Sequence, residues 1–317
     1  DDATMCGERV IHHRSPQTCG LDGGEYSAIW LGPDWPGDQR ADDARALVFE
    51  TEPLRQPLDI LCAARLELAS AFVQPFALLA VRLVDVHPDG AATRITHDVL
   101  NVRHRDDPAN PSAVPVGEPL PLTLSFDDVG YRIPAGHRLR LSLSTAYWPL
   151  IWPSPALVTL SLDPATMRLV VPGIPAGVDR TIADHLPPPQ SAPEHPTRII
   201  REGAHKRMLE VDQATGAATI HILDDFGREE NLETGIIVEE IARETQVIQP
   251  DDPLCASMSA HWTQVRTRGD WHTRTEAHAR MTADRHAFTI EAQVDAYEGT
   301  EKIHTKTWRE TVPRDHV

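Results

Sequence analysis

The feature that most constrains what this chain can become is a period-two alternation of apolar and polar residues, repeated segment after segment with turn residues between. Side chains on a β-strand point alternately to opposite faces, so this pattern marks strands with one face on a core. Ile60, Cys62, Ala64, Leu66 and Leu68 fall on one side of their strand, with Asp59, Arg65 and Glu67 on the other. Leu120, Leu122, Leu124 and Phe126 repeat it, as do Leu139, Leu141 and Leu143 against Arg138, Arg140, Ser142 and Ser144. Residues 76–86 are more continuously apolar, and His87-Pro88-Asp89-Gly90 turns the chain back into residues 93–102. Residues 156–162 and 167–171 close the set through Asp163-Pro164. Short strands with turns between them and no helical period read as an all-β fold, a β-sandwich of jelly-roll type.

The texture changes where Pro172, Pro175, Pro187, Pro188, Pro189, Pro193 and Pro196 remove backbone donors and favour extended chain. The expected organisation is a jelly-roll domain with an N-terminal extension over residues 1–175, a proline-rich linker over 176–196, and an antiparallel β-meander domain over 197–317. In the last of these, Ala214-Thr215-Gly216 signals a hairpin. Arg268-Gly269-Asp270, Ala283-Asp284-Arg285 and Glu298-Gly299-Thr300 separate four long strands. Residues 233–244 read as a short helix or another strand, with Ile236, Ile237 and Val238 favouring strand. Phe288, Ile290, Ala292, Val294 and Ala296 make one face of a strand; Thr289, Glu291, Gln293 and Asp295 make the other, so one side of the sheet is expected to be wet.

A net charge of -17, from 47 acidic and 30 basic residues, repels phosphate backbones and anionic lipid. Nucleic acid and membrane are therefore not expected as partners. The 76–86 stretch is far shorter than the roughly 20 residues of a spanning helix. Cys6, Cys19, Cys62 and Cys255 are too scattered for a disulfide scaffold or a zinc site and read as reduced thiols of a cytoplasmic protein. The chain starts at Asp1 without the basic and apolar regions of a signal peptide, as a piece of a longer product would. No segment carries the Gly-x-Ser-x-Gly elbow of an α/β-hydrolase nucleophile.

Four segments carry a family resemblance. They are the stretch from Arg14-Ser15-Pro16 to Gly20; Pro36-Gly37-Asp38-Gln39-Arg40 leading into Leu47-Val48-Phe49-Glu50; Val84-Asp85-Val86-His87-Pro88-Asp89-Gly90; and Ile133-Pro134-Ala135-Gly136-His137 with Arg138-Leu139-Arg140-Leu141. In this order they resemble the C-terminal non-catalytic region of cocaine-esterase-like and X-prolyl dipeptidyl aminopeptidase hydrolases, over residues 14 to about 171. The resemblance implies a jelly roll packed on an α/β-hydrolase catalytic domain that carries the Ser-Asp-His triad, in the same polypeptide or as a separate chain. It implies no activity for this chain alone and leaves the 197–317 meander unassigned.

By the same analogy, the loop over residues 32–40 walls the substrate cleft or meets the catalytic domain, with Trp30 and Trp35 supplying aromatic surface and Gln39 or Arg40 hydrogen-bonding across. The alternative is that both rings bury against the sandwich and Arg40 pairs with Asp42 or Asp43. Tyr147, Trp148 and Trp152, among prolines, read as an exposed aromatic loop: an anchor for a domain interface, or a sugar platform if the chain is a carbohydrate-binding module. No metal or cofactor is called for, because His272, Glu276 and His278 share a strand face with Arg274 and Arg280 and read as a solvated charge ladder. Asp127/Asp128, Asp224/Asp225 and Asp251/Asp252 read as turn residues. A homo-oligomer is compatible with this pattern.

Overall fold

The computed structural model describes residues 10–30, 32, 34–174 and 187–316. They divide into two compact units, one of residues 10–174, 248–254 and 314–316, the other of residues 187–247 and 255–313. Most of the expected linker, and Cys6, lie outside the described residues. The expected 197–317 domain is interrupted, since two short segments of it belong to the first unit. There the Gln17 N–H donates to the Pro250 carbonyl at 2.8 Å, and the Asn101 amide donates to the His316 carbonyl at 2.6 Å.

The first unit contains β1 (Ile11–His13), helix α1 (Arg40–Asp43), β2 (Leu47–Glu50), β3 (Leu58–Cys62), β4 (Arg65–Phe72), β5 (Leu78–Val86) and β6 (Ala92–Asn101). It continues with β7 (Leu120–Ser125), β8 (Val129–Ile133), β9 (Arg138–Ser144), β10 (Leu160–Leu162) and β11 (Arg168–Val170). One sheet runs β1–β10–β4–β11 with β7 also on β4; a second runs β2–β9–β5–β6; β3 and β8 form a ribbon. Leu66, Leu68 and Phe72 of β4 and Leu122 and Leu124 of β7 meet Leu79, Val81 and Leu83 of β5 and Leu141 and Leu143 of β9 in one buried cluster. Two sheets sharing one core make a sandwich, and each such side chain contributes about 1.5–3 kcal/mol of burial.

One expectation about these strands is corrected. Residues 60–68 are not one strand: Cys62 has φ +81° and is exposed, so the chain leaves the β3–β8 ribbon there and enters the five-stranded sheet as β4. The alternation of β9 also marks only one of its two covered faces, since of the polar residues only Arg138 is exposed. Ser142 and Ser144 are buried, and all nine residues of β5 are buried, because the segment around α1 covers the outer face of their sheet.

The second unit is one antiparallel sheet. Its strands are β12 (Thr197–Arg201), β13 (Ala204–Val211), β14 (Ala218–Asn231), β15 (Ile236–Ile248), β16 (Ser257–Arg268), β17 (Trp271–Ala283), β18 (Ala287–Glu298) and β19 (Glu301–Pro313). They run β12–β14–β15–β16–β17–β18–β19, with β13 also on β14. The meander and the strand at 236–248 thus form as the pattern requires, and Gly269 supplies the positive φ of a two-residue hairpin turn. The apolar face of β18 is not sealed, since Ile290 stays 38% exposed. The most buried side chain of that strand is Asp295, on the face expected to be wet, where Thr305, Lys302 and Gln293 donate to its carboxylate at 2.7, 2.9 and 3.0 Å.

Candidate functional site

A buried charge network underlies the segment that carries the expected site residues. From the outer face of β5, Arg82 sends its guanidinium to Asp43 Oδ1 at 3.0 Å, Gln39 Oε1 at 3.1 Å and Ser142 Oγ at 2.8 Å, with Asp42 Oδ2 at 3.5 Å. Arg140 of β9 donates to the other oxygen of Asp43 at 2.7 Å and reaches Glu50. Asp42 accepts the N–H groups of Gly20 and Asp22 at 2.9 and 3.1 Å, tying residues 20–22 to α1. Burial raises the Asp42 carboxyl above its ordinary value despite Arg82, and pushes the neighbouring Cys19 thiol up to about 12, so that thiol is inert.

Gln39 is consumed by this arrangement. Its amide nitrogen donates to the Asp22 and Gly37 carbonyls at 2.9 and 2.8 Å while its oxygen accepts from Arg82. Arg40 is exposed, but it pairs with Asp38 at 2.9 Å rather than with Asp42 or Asp43, which belong to Arg82 and Arg140. Upstream, the described residues of the 24–36 loop are tied to one another through Asp34. Asp34 Oδ2 accepts the N–H groups of Ile29 and Trp30 at 2.8 and 2.7 Å, and the Glu25 N–H donates to the Asp34 carbonyl at 2.8 Å. This anchored loop carries Tyr26 at 92%, Trp35 at 57% and Ile29 at 55% exposure, whereas Trp30 is half-buried. Beside the loop lies a depression of about 470 Å³ lined by Glu25, Tyr26, Arg94, His97, Asp127 and Leu150. Burial, then Arg94, lowers the His97 imidazole to about 4, so the ring is neutral at pH 7.

The 144–155 loop is not the exposed aromatic loop that its prolines suggest. Tyr147 and Trp148 are each 1% exposed. Tyr147 Oη accepts from Arg94 at 2.7 Å, Trp148 meets Trp152 edge-on at 5.4 Å, and the Trp148 N–H donates to the Cys19 carbonyl at 2.9 Å. Gly20 packs so closely that a Cβ there would lie 2.6 Å from the Trp148 carbonyl oxygen. These rings hold residues 19–23 in place, and with two of the three buried there is no stacking platform for a sugar.

Three histidines resemble parts of a proton relay, each incomplete. His13 Nε2 meets Ser15 Oγ at 3.0 Å, but Ser15 is fully buried and accepts the Thr145 N–H. His137 Nδ1 meets Asp85 Oδ1 at 2.8 Å, and the second oxygen of Asp85 accepts the Tyr131 hydroxyl at 3.0 Å. Burial and then that carboxylate push Tyr131 up to about 12. His205 Nδ1 meets Asp224 at 2.5 Å. Among the described residues none of these pairs joins a nucleophile, a base and an orienting acid. In the meander, His272 sits opposite Thr267, whereas His278 faces His261, which the sequence did not single out; their rings stack with centroids 3.9 Å apart.

The described residues of the first unit thus form a β-sandwich with a buried polar clamp and an aromatic loop on its surface. In the family comparison, residues 6–210 match the X-Pro dipeptidyl-peptidase C-terminal non-catalytic domain, and the chain belongs to that family. The cocaine esterase of Rhodococcus sp. (strain MB1 Bresler) is 29% identical over 122 residues, which are 37% of this chain and 21% of that protein. The match therefore spans about a fifth of the relative's length. Similar solved structures include a selenomethionine-labelled α-amino acid ester hydrolase (19% identical, TM-score 0.48, 55% of this chain and 33% of that one). Another is an aminopeptidase from the marine sediment archaeon Thaumarchaeota archaeon (19% identical, TM-score 0.48, 54% and 34%).

Proposed function

We propose that this chain is the C-terminal non-catalytic part of a serine hydrolase of the cocaine-esterase or X-Pro dipeptidyl-peptidase type, with residues 176–196 as its linker. In this reading it packs on an α/β-hydrolase domain, in the same polypeptide or a separate chain, and forms one wall of the substrate cleft. Family membership supports the class, and the passage of the chain back and forth between two sheets fits a jelly-roll order. The observation that supports the docking role is the 24–36 loop, whose Tyr26, Ile29 and Trp35 are exposed although Asp34 ties Glu25, Ile29 and Trp30 together. Trp35 and Tyr26 contact the catalytic domain, Arg40 lies at the rim, and the depression beside Tyr26 and His97 faces the cleft. Cys19 and Cys62 are free thiols, in keeping with a cytoplasmic location.

The test has two arms. The purified chain is assayed on p-nitrophenyl esters and X-Pro anilides, where no turnover is expected. Tyr26→Ser/Trp35→Ser is then measured for binding to the α/β-hydrolase domain encoded with it, where a loss of affinity is expected at unchanged thermal stability. Turnover abolished by a serine-directed reagent overturns the reading, and so does undiminished binding by the double variant.

A further inference from the structure

Strands β15 to β19 of the second unit set side chains from each strand side by side on one face, because directly opposed residues of an antiparallel ladder point the same way. Arg243, His261, His278, Gln293 and Thr307 form one row across the five strands. Thr245, Ser259, Arg280, Glu291 and Arg309 form the next. Between the rows lies a depression of about 530 Å³ whose lining includes both. Such a volume falls in the range of small-ligand sites, roughly 300–1,000 Å³.

The charge of this trough opposes that of the chain. Against a net charge of -17, its lining carries three arginines, Arg243, Arg280 and Arg309, and one carboxylate, Glu291. Glu291 is engaged by Arg309 at 3.3 Å. Arg243 and Arg280 make no ion pair among the described residues, although Arg198, Arg201, Arg274 and Lys302 of the same unit each hold an acidic partner. Arg243 feels the Asp225 carboxylate only at a distance and Arg280 stands opposite Glu291, which Arg309 engages, so both guanidinium groups keep donors for an anion seated in the trough. Thr245, Ser259 and Thr307 add hydroxyl donors along the same rows.

We propose that this trough is a binding site for a small organic anion, a carboxylate whose flat body lies along the His261–His278 pair and whose charge sits between Arg243 and Arg280. The charged and titratable groups facing His261 are Arg243 from β15 and Glu276, His278 and Arg280 from β17, with Glu291 on β18 and Arg309 on β19 beyond them. Burial first, then His278 and Arg243, hold the His261 imidazole below its ordinary value, against an opposing pull from Glu276. A bound carboxylate raises it, so binding takes up a proton and strengthens as the solution becomes more acidic. The ligand atoms of His261, Glu276 and His278 also lie within 4.8 Å of one another, a spacing that admits a metal ion. The anion is favoured because Arg274 occupies Glu276 at 2.5 Å and the neighbouring arginines repel a cation.

The test uses the full 317-residue chain and fluorine NMR titration with 4-fluorobenzoate, 4-fluorobenzamide and zinc chloride, alongside the His261 proton resonances. Saturable benzoate binding is expected, with the benzamide at least about tenfold weaker and Arg243→Gln/Arg280→Gln also about tenfold weaker. The His261 resonance is expected to titrate at higher pH in the presence of benzoate. Circular dichroism of the double variant checks that both exposed substitutions leave the fold intact, and single substitutions replace it if they do not. No benzoate binding at millimolar concentration, equal binding of benzamide, full affinity in the variants, or stoichiometric zinc binding at His261 and His278 each overturns the proposal.

Discussion

Replacing Arg82 by Met tests whether the charge network holds the N-terminal segment on the sandwich. Arg82 is buried, and its guanidinium spans Asp43, Asp42, Gln39 and Ser142. Met retains most of the stem, so the change removes the charge and its donors while leaving two buried carboxylates behind. Deleting one partner of a buried ion pair costs about 3–5 kcal/mol. Asp43 keeps Arg140 at 2.7 Å and Asp42 keeps two backbone N–H groups, which places the loss near the lower end, about 3 kcal/mol. At roughly 2–4 °C per kcal/mol for a domain of this size, Tm falls by roughly 6–12 °C. Arg132→Met is the control: it breaks an exposed pair with Asp59 and costs about 0–1 kcal/mol. The penalty also depends on pH. The folded-state value of Asp42 is raised, so protonating it favours the folded form, and the gap between Arg82→Met and the parent narrows as the solution becomes acidic. Urea unfolding followed by circular dichroism and tryptophan fluorescence measures it. A neutral-pH loss equal to that of Arg132→Met refutes the claim that this network clamps residues 20–46.

Gly20→Ala places a Cβ 2.6 Å from the Trp148 carbonyl oxygen at φ +106°, so it is expected to lower stability by roughly 2 kcal/mol or more in the same unfolding assay. His97 has a lowered folded value of about 4, so stability present above its unfolded value of about 6.5 is lost as pH falls toward 4. His97→Phe flattens that part of the pH profile, and an imidazole that titrates near 6.5 by NMR contradicts the burial argument. Asp295 has the opposite chemistry: Thr305 and then Lys302 hold its carboxyl down at about 2, so the stability it contributes above pH 4 disappears between about 4 and 2. Asp295→Asn removes that acid transition from the β18–β19 edge in hydrogen exchange, and an unchanged transition rejects the assignment.

Strands were readable because burial on one face writes its period into neighbouring residues. Leu122, Leu124 and Phe126 are buried and Leu139, Leu141 and Leu143 line the core as their spacing requires, and the meander turns fall at Gly269 and Gly299. What escaped depends on partners distant in the chain. Asp42 and Asp43 look like neighbours of Arg40, yet their cation is Arg82, and nothing local announces a guanidinium buried on the second face of β5. Tyr147 and Trp148 look exposed among prolines, but residues 19–23 cover them, a contact set by Gly20 rather than by any pattern in 144–155. Cys62 fits the alternation and still breaks it, because φ +81° turns the chain between two sheets. His261 and His278 come together through cross-strand register, which the sequence of one strand does not contain. Tyr26 carried no motif; only its exposure on a fixed loop marks it.

The central claim is tested most directly by hydrogen–deuterium exchange of this chain with and without the α/β-hydrolase domain that the proposed function assigns to it. The account predicts slowed exchange across residues 24–36 on mixing, lost in Tyr26→Ser/Trp35→Ser. Binding that leaves 24–36 unprotected, or protection confined to the second unit, contradicts it.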